Sequence, residues 1–161
     1  ENEMIKKLLC LTLVSLFFCG CGAAKFKSIT PYQFDRGFKL NVSLSKEATI
    51  DIPEEVLDTI KNQVQEGLSE RNLLATTTDD KSRKAEIHIT SYRMRPDAAR
   101  LIVGIMAGCD NIESNVAIID SSNEQKIGES EIKIEECAAW GVSSQVIKKY
   151  SEGVVKYLSG K

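Results

Sequence analysis

The sequence predicts an α+β fold, a mostly antiparallel sheet with two amphipathic helices packed on one face, in the order β-α-β-β-β-α. Three observations predict it. Residues 38–44 (FKLNVSL) alternate apolar and polar, the period of a half-buried strand. The stretches 53–72 and 142–158 repeat apolar residues at helical spacing. Residues 112–135 form two alternating runs about the polar turn Ser121-Ser122-Asn123-Glu124-Gln125, the pattern of a hairpin.

Taken in order, Gly37 punctuates the start of the first strand. Pro53 then suits a first helical turn, where its missing N–H is not needed. Glu54, Glu55 and Asp58 complement the positive end of the helix dipole and Arg71 the negative end. Val56, Ile60, Val64, Gly67 and Leu68 make one stripe, and the helix ends near Asn72. Residues 76–84 read as a polar loop, and 85–94 (AEIHITSYRM) as a second strand closed by Pro96. The apolar, glycine-containing run 98–108 (AARLIVGIMAG) leads into the hairpin strands, 112–120 and 126–135. Val142, Val146, Tyr150, Val154, Tyr157 and Leu158 mark the last helix.

The amino end departs from the globular pattern. Lys6 and Lys7 precede the apolar run 8–18 (LLCLTLVSLFF), followed by small residues, which is the layout of a secretory signal peptide with Met4 as its start. The run is too short to span a bilayer core of about 30 Å. With 161 residues the chain has room for one domain. The expected division is a signal peptide at 1–20, a lipid anchor and tether at 21–36, and a single α+β domain at 37–161.

Export places the remaining cysteines in an oxidising compartment. A hairpin centred on Asn123 sets Ile112 opposite Ile134, Ser114 opposite Ile132, Val116 opposite Ser130 and Ile118 opposite Gly128. On the other face Glu113 meets Lys133 and Ile119 meets Ile127, while Asp120 meets Lys126; a slip of one residue would mix the faces. The same register sets Cys109 opposite Cys137, and a disulfide between them is expected to add about 3–4 kcal/mol. Two separate buried thiols are the alternative. Metal binding ranks third, because His88 is the single imidazole and no close-spaced ligand pair exists.

A net charge of −2 gives no basic surface for nucleic acid, and 6% aromatic content argues against base stacking. No G-x-S-x-G elbow, Walker loop or dinucleotide fingerprint occurs. His88 reads as a hydrogen-bonded strand histidine, and the pairs Glu54-Glu55 and Glu135-Glu136 as solvated carboxylates. No catalytic residue, cofactor or metal is therefore expected. Two features stand above background. Arg93, Arg95 and Arg100 cluster around Pro96 and Asp97 and could contact lipid phosphate, an anionic envelope polymer or a partner's carboxylate; solvated strand-end charges are the plainer reading. Leu101, Ile102, Gly104, Ile105 and Gly108 belong either to the core or to an intermolecular surface.

Phe18-Cys19-Gly20-Cys21 resembles a bacterial lipobox, in which a small residue precedes a cysteine that receives a diacylglyceryl group. Gly20 is small where Phe18 is bulky, which favours Cys21 over Cys19 as the modified residue. One acyl chain binds a bilayer marginally and two hold firmly. The following Gly22-Ala23-Ala24 lacks the aspartate that resembles an inner-membrane retention signal, so the resemblance implies an outer-membrane lipoprotein facing the periplasm. From Gly22 to the first strand, about sixteen extended residues would reach about 55 Å.

The mature chain resembles the bacterial lipoproteins grouped as domain of unknown function 4410. The likeness rests on Ala85-Glu86-Ile87-His88-Ile89-Thr90-Ser91-Tyr92, then Arg100-Leu101-Ile102-Val103-Gly104-Ile105-Met106-Ala107-Gly108, then Val116-Ala117-Ile118-Ile119-Asp120. Cys109, directly after the glycines, departs from that pattern. A more distant likeness joins it to the α/β domain of the TolB amino-terminal part and of the curli secretion lipoprotein; it concerns the fold and does not fix function. The expected protein is a lipid-anchored, non-enzymatic envelope module that binds another envelope protein. Self-assembly into a secretion or transport structure, as a homo-oligomer, is the second reading, and a hydrolase of envelope polymers ranks last.

Overall fold

The computed structural model describes residues 24–32, 34, 37–75, 82–96, 108–137 and 143–160. Among them the elements are β1 (Lys25–Thr30), β2 (Leu40–Lys46), α1 (Glu54–Glu70), β3 (Arg83–Arg93), β4 (Asp110–Asp120), β5 (Lys126–Glu136) and α2 (Ser143–Leu158). The strands form one five-stranded sheet in the order β1-β5-β4-β3-β2. β2 and β3 are parallel because the connection between them crosses over through α1; the other neighbours are antiparallel. Both helices pack on one face, as the α+β reading expects.

Strand alternation builds the core. Ala85, Ile87 and Ile89 of β3, Ile112, Val116 and Ile118 of β4, and Ile132 and Ile134 of β5 are buried on the helix side. Ile60, Val64 and Leu68 of α1 and Val146, Tyr150, Val154 and Leu158 of α2 close over them. A side chain at Gly67 would press against Val155, so this glycine lets the two helices approach closely. α1 ends in a Schellman arrangement: Leu73 N–H donates to the Leu68 carbonyl at 2.8 Å and Asn72 N–H to the Ser69 carbonyl at 2.8 Å, with Asn72 left-handed at φ 61°. Arg71 donates from Nη1 to the Gly67 carbonyl at 2.6 Å, capping the negative end of the dipole.

The hairpin register holds from Ile112↔Ile134 to Ile118↔Gly128. Nearer the turn it shifts, so Ile119 pairs with Lys126, and the expected pairs Ile119–Ile127 and Asp120–Lys126 do not form. The turn causes the shift. Asp120 N–H donates to the Gln125 carbonyl, Glu124 N–H returns to Asp120, and Glu124 is left-handed at φ 56°. Ser122 donates from its N–H and its Oγ to Asp120 Oδ1, which holds that carboxyl below the ordinary aspartate range. β3 also starts earlier than expected. Arg83 and Lys84 belong to it, and the Arg83 guanidinium lies 3.6 Å from the Phe38 ring centroid while Nη1 donates to the Tyr32 hydroxyl.

The largest addition is β1, which lies in the stretch read as tether. It runs along β5 from Lys25↔Lys133 to Thr30↔Glu129, with a bulge between Ser28 and Thr30. Three glycines leave room for this part of the chain: Gly153 for Ala24, Gly128 for Tyr32 and Gly160 for Phe34. The folded body therefore takes in residues well before Gly37.

Two phenols in α2 give the domain an alkaline limit. Tyr150 is fully buried and donates to Ser114 Oγ at 2.6 Å; burial raises its pKa, outweighing that hydrogen bond. Tyr157 is pushed up to about 12, mainly by burial and then by the nearby Glu129 and Tyr32. In the unfolded chain both ionise near 10. Their contribution is complete below pH 10 and is lost as pH rises toward about 12. Urea midpoints are expected to fall across that interval, and Tyr157→Phe to make the fall shallower.

Candidate functional site

Strand parity points to the site. In β4 the inward positions are Asp110, Ile112, Ser114, Val116 and Ile118; in β5 they run from Gly128 to Glu136. A carboxylate on the inward parity must find a partner or lose its charge. Asp110 finds Arg95. The two side chains are 1% and 2% exposed, and Arg95 approaches in a fork: Nε donates to Oδ1 at 3.3 Å and Nη2 to Oδ2 at 3.1 Å. The Arg95 backbone N–H adds a bond to Oδ1 at 2.7 Å, and Nη2 also reaches the Glu136 carbonyl at 3.3 Å. Glu136 Oε2 in turn accepts from Lys149 Nζ of α2 at 2.8 Å. Burial and the Asp110 charge together raise the pKa of neighbouring Tyr92.

The disulfide Cys109–Cys137 closes the same end of the sheet, one residue beyond the facing pair Asp110↔Glu136. The expected cross-link is present, which excludes the reading of two separate thiols. Glu135 lies close enough to make a three-ligand set with the two sulfurs, but those sulfurs are bonded to each other and cannot serve a metal in this state.

The three expected arginines therefore part company. Arg93 is exposed, its guanidinium against Gly108, which is left-handed at φ 87°. Arg95 is a buried structural ion and is neither a partner contact nor a solvated strand end. β3 ends at Arg93, and beyond it the chain turns so that Arg95 meets Asp110 and the Glu136 carbonyl on the inner side. Arg100, Leu101, Ile102, Gly104, Ile105 and Cys21 lie outside the described residues. Pro96 and Gly108, which flank that apolar run, border the clamped end of the sheet.

The opposite face of the sheet carries a polar row across all strands: Lys27, Glu131, Asn115, His88 and Ser45 are successive cross-strand partners. His88 Nδ1 lies 3.0 Å from Ser45 Oγ, the hydrogen-bonded strand histidine expected. Glu131 is held below the ordinary glutamate range, first by its hydrogen bond with Glu113 and then by Lys27. On the helix side, an open groove of about 720 Å³ between α1 and α2 sets Glu66, Glu70 and Glu152 among Arg71, Lys148 and Lys156. The His88–Ser45 pair lies on the exposed sheet face, apart from the groove on the helix side. Sequence reasoning missed Asp110 and Lys149 and read Glu136 as solvated, whereas Glu136 is buried and paired with Lys149; charged residues on an apolar strand parity were a legible signal.

These features define a small α+β domain whose sheet end is locked by a disulfide and a buried ion pair. The family model described as "Domain of unknown function (DUF4410)" matches residues 27–138, and the chain belongs to this family. No curated protein matches it. Among solved structures, it is similar to a PelC dodecamer from Paraburkholderia phytofirmans, at 16% identity and a TM-score of 0.57, covering 86% of this chain and 95% of that one. It is also similar to protein XCC0632 from Xanthomonas campestris, of the family DUF330, at 12% identity and a TM-score of 0.50, covering 83% of this chain and 89% of that one. At such identities the likeness concerns the fold.

Proposed function

We propose that this chain is a lipid-anchored protein of the bacterial cell envelope, held at the outer membrane through Cys21 and facing the periplasm. It works by binding protein rather than by catalysis, and further copies of itself are its first partner. The observation that carries the self-assembly reading is a fold shared over 95% of a subunit whose solved form is a dodecamer. The Cys109–Cys137 bridge supports an oxidising compartment, and the signal-peptide pattern with its lipobox-like end supports the anchor.

In this reading Leu101, Ile102, Gly104, Ile105 and Gly108 supply the subunit contact, and Arg93 with Arg100 flank it. A partner envelope protein at the same surface is the second reading, favoured by the exposed Arg93 beside Gly108. Native mass spectrometry of protein extracted from membranes in mild detergent tests both parts. The expected spectrum holds multiples of one subunit mass, each subunit heavier by the diacylglyceryl and acyl groups on Cys21. A monomer at tens of micromolar would count against self-assembly, and an unmodified Cys21 against the anchor.

A further inference from the structure

We infer that the outer edge of β1 is a membrane-seating surface, laid on phospholipid headgroups beside the lipid anchor. The inference rests on the anchored reading above and adds to it which side of the domain meets the bilayer. Lys25 opens β1 only four residues after Cys21, so its Cα lies within about 14 Å of the lipidated residue however the intervening chain runs. The link of about sixteen residues expected from the sequence is thus shortened to Gly22, Ala23 and Ala24.

The composition of the edge fits that position. Phe26 and Ile29 are the exposed large hydrophobic residues among those described, at 41% and 52%. Both lie on β1, and its other early positions include Lys25 and Lys27. Lys156 of α2 adds a third cation, with Nζ 5.8 Å from the Phe26 ring centroid. Phe26 and Lys156 flank the edge on the helix side and Lys25 and Lys27 on the polar side, and apolar groups with lysines on either hand suit the boundary between acyl chains and phosphates. Lys27 also sits 3.3 Å from Glu131, an exposed pair of the kind that contributes little and can be exchanged for a phosphate.

A second copy fits this edge less well. The bulge between Ser28 and Thr30 breaks the ladder that an added strand would need. Because the acyl chains already hold the protein, the edge sets orientation rather than affinity, and the test must read depth.

The lipidated full-length protein, in vesicles of phosphatidylethanolamine and phosphatidylglycerol, is labelled with bimane at a cysteine introduced by Ser28→Cys. A separate sample carries Ser43→Cys on β2, the opposite edge, four strand spacings or about 19 Å away. Nitroxide lipids labelled at the shallow acyl positions should quench the label at 28 several-fold more than the label at 43. Adding Lys25→Glu and Lys27→Glu should reduce the quenching at 28 while the protein still floats with the vesicles. Equal quenching at the two sites, or stronger quenching at 43, overturns the seating surface and leaves the anchor standing. Ready crosslinking between two Ser28→Cys copies with little quenching also overturns it, by assigning the edge to another subunit. Protein that does not float with vesicles defeats the anchor, and this inference with it.

Discussion

Asp110→Ala should lower the stability of the domain by about 3–5 kcal/mol, because it strands the Arg95 guanidinium in a dry site. Both charges are almost fully buried, and Arg95 makes its fork, its backbone bond and its contact with the Glu136 carbonyl in one place. Removing the carboxylate takes away the group around which the others are arranged. The paired replacement Arg95→Met with Asp110→Leu should recover much of that loss, since a buried ion pair often contributes little beyond an apolar pair of similar volume. Urea midpoints for the single and double variants, made with Cys21→Ser to avoid detergent, check this. A single variant as stable as the parent would show that the pair is solvated.

The second large effect is expected from the disulfide. Cys109→Ser with Cys137→Ser opens a loop whose ends are 28 residues apart, which corresponds to about 3–4 kcal/mol from freedom regained by the unfolded chain. The denaturant slope should also rise, as an unbridged chain exposes more surface. Dithiothreitol should move the parent toward the variant and leave the variant unchanged. Cys109 and Cys137 adjoin Asp110 and Glu136, so the two effects should not add. If reduction leaves the midpoint where it was, the bridge contributes nothing to stability.

Much of the fold was readable from local pattern. Alternation located β2, β3, β4 and β5, and helical spacing located both helices, because a side chain's face follows from its position along a regular element. The hairpin register was readable too, since one buried face tolerates no slip, and the cysteine pairing followed from it. β1 was not readable. KFKSIT buries little, and its place depends on β5 and on space left by Gly153, Gly128 and Gly160, all distant in sequence. Within the candidate site Cys109 and Cys137 were legible, but Arg95 was misread because it lies past the end of β3, where only the fold brings it onto Asp110.

The sequence alone therefore determined the element types, the inward faces and the hairpin pairing, all matters of short-range periodicity. Which edge the amino-terminal segment covers, and which arginine is withdrawn from solvent, were settled only by the folded arrangement. Both depend on contacts between residues far apart in the chain, where the space and charge offered by one element decide what the other can do.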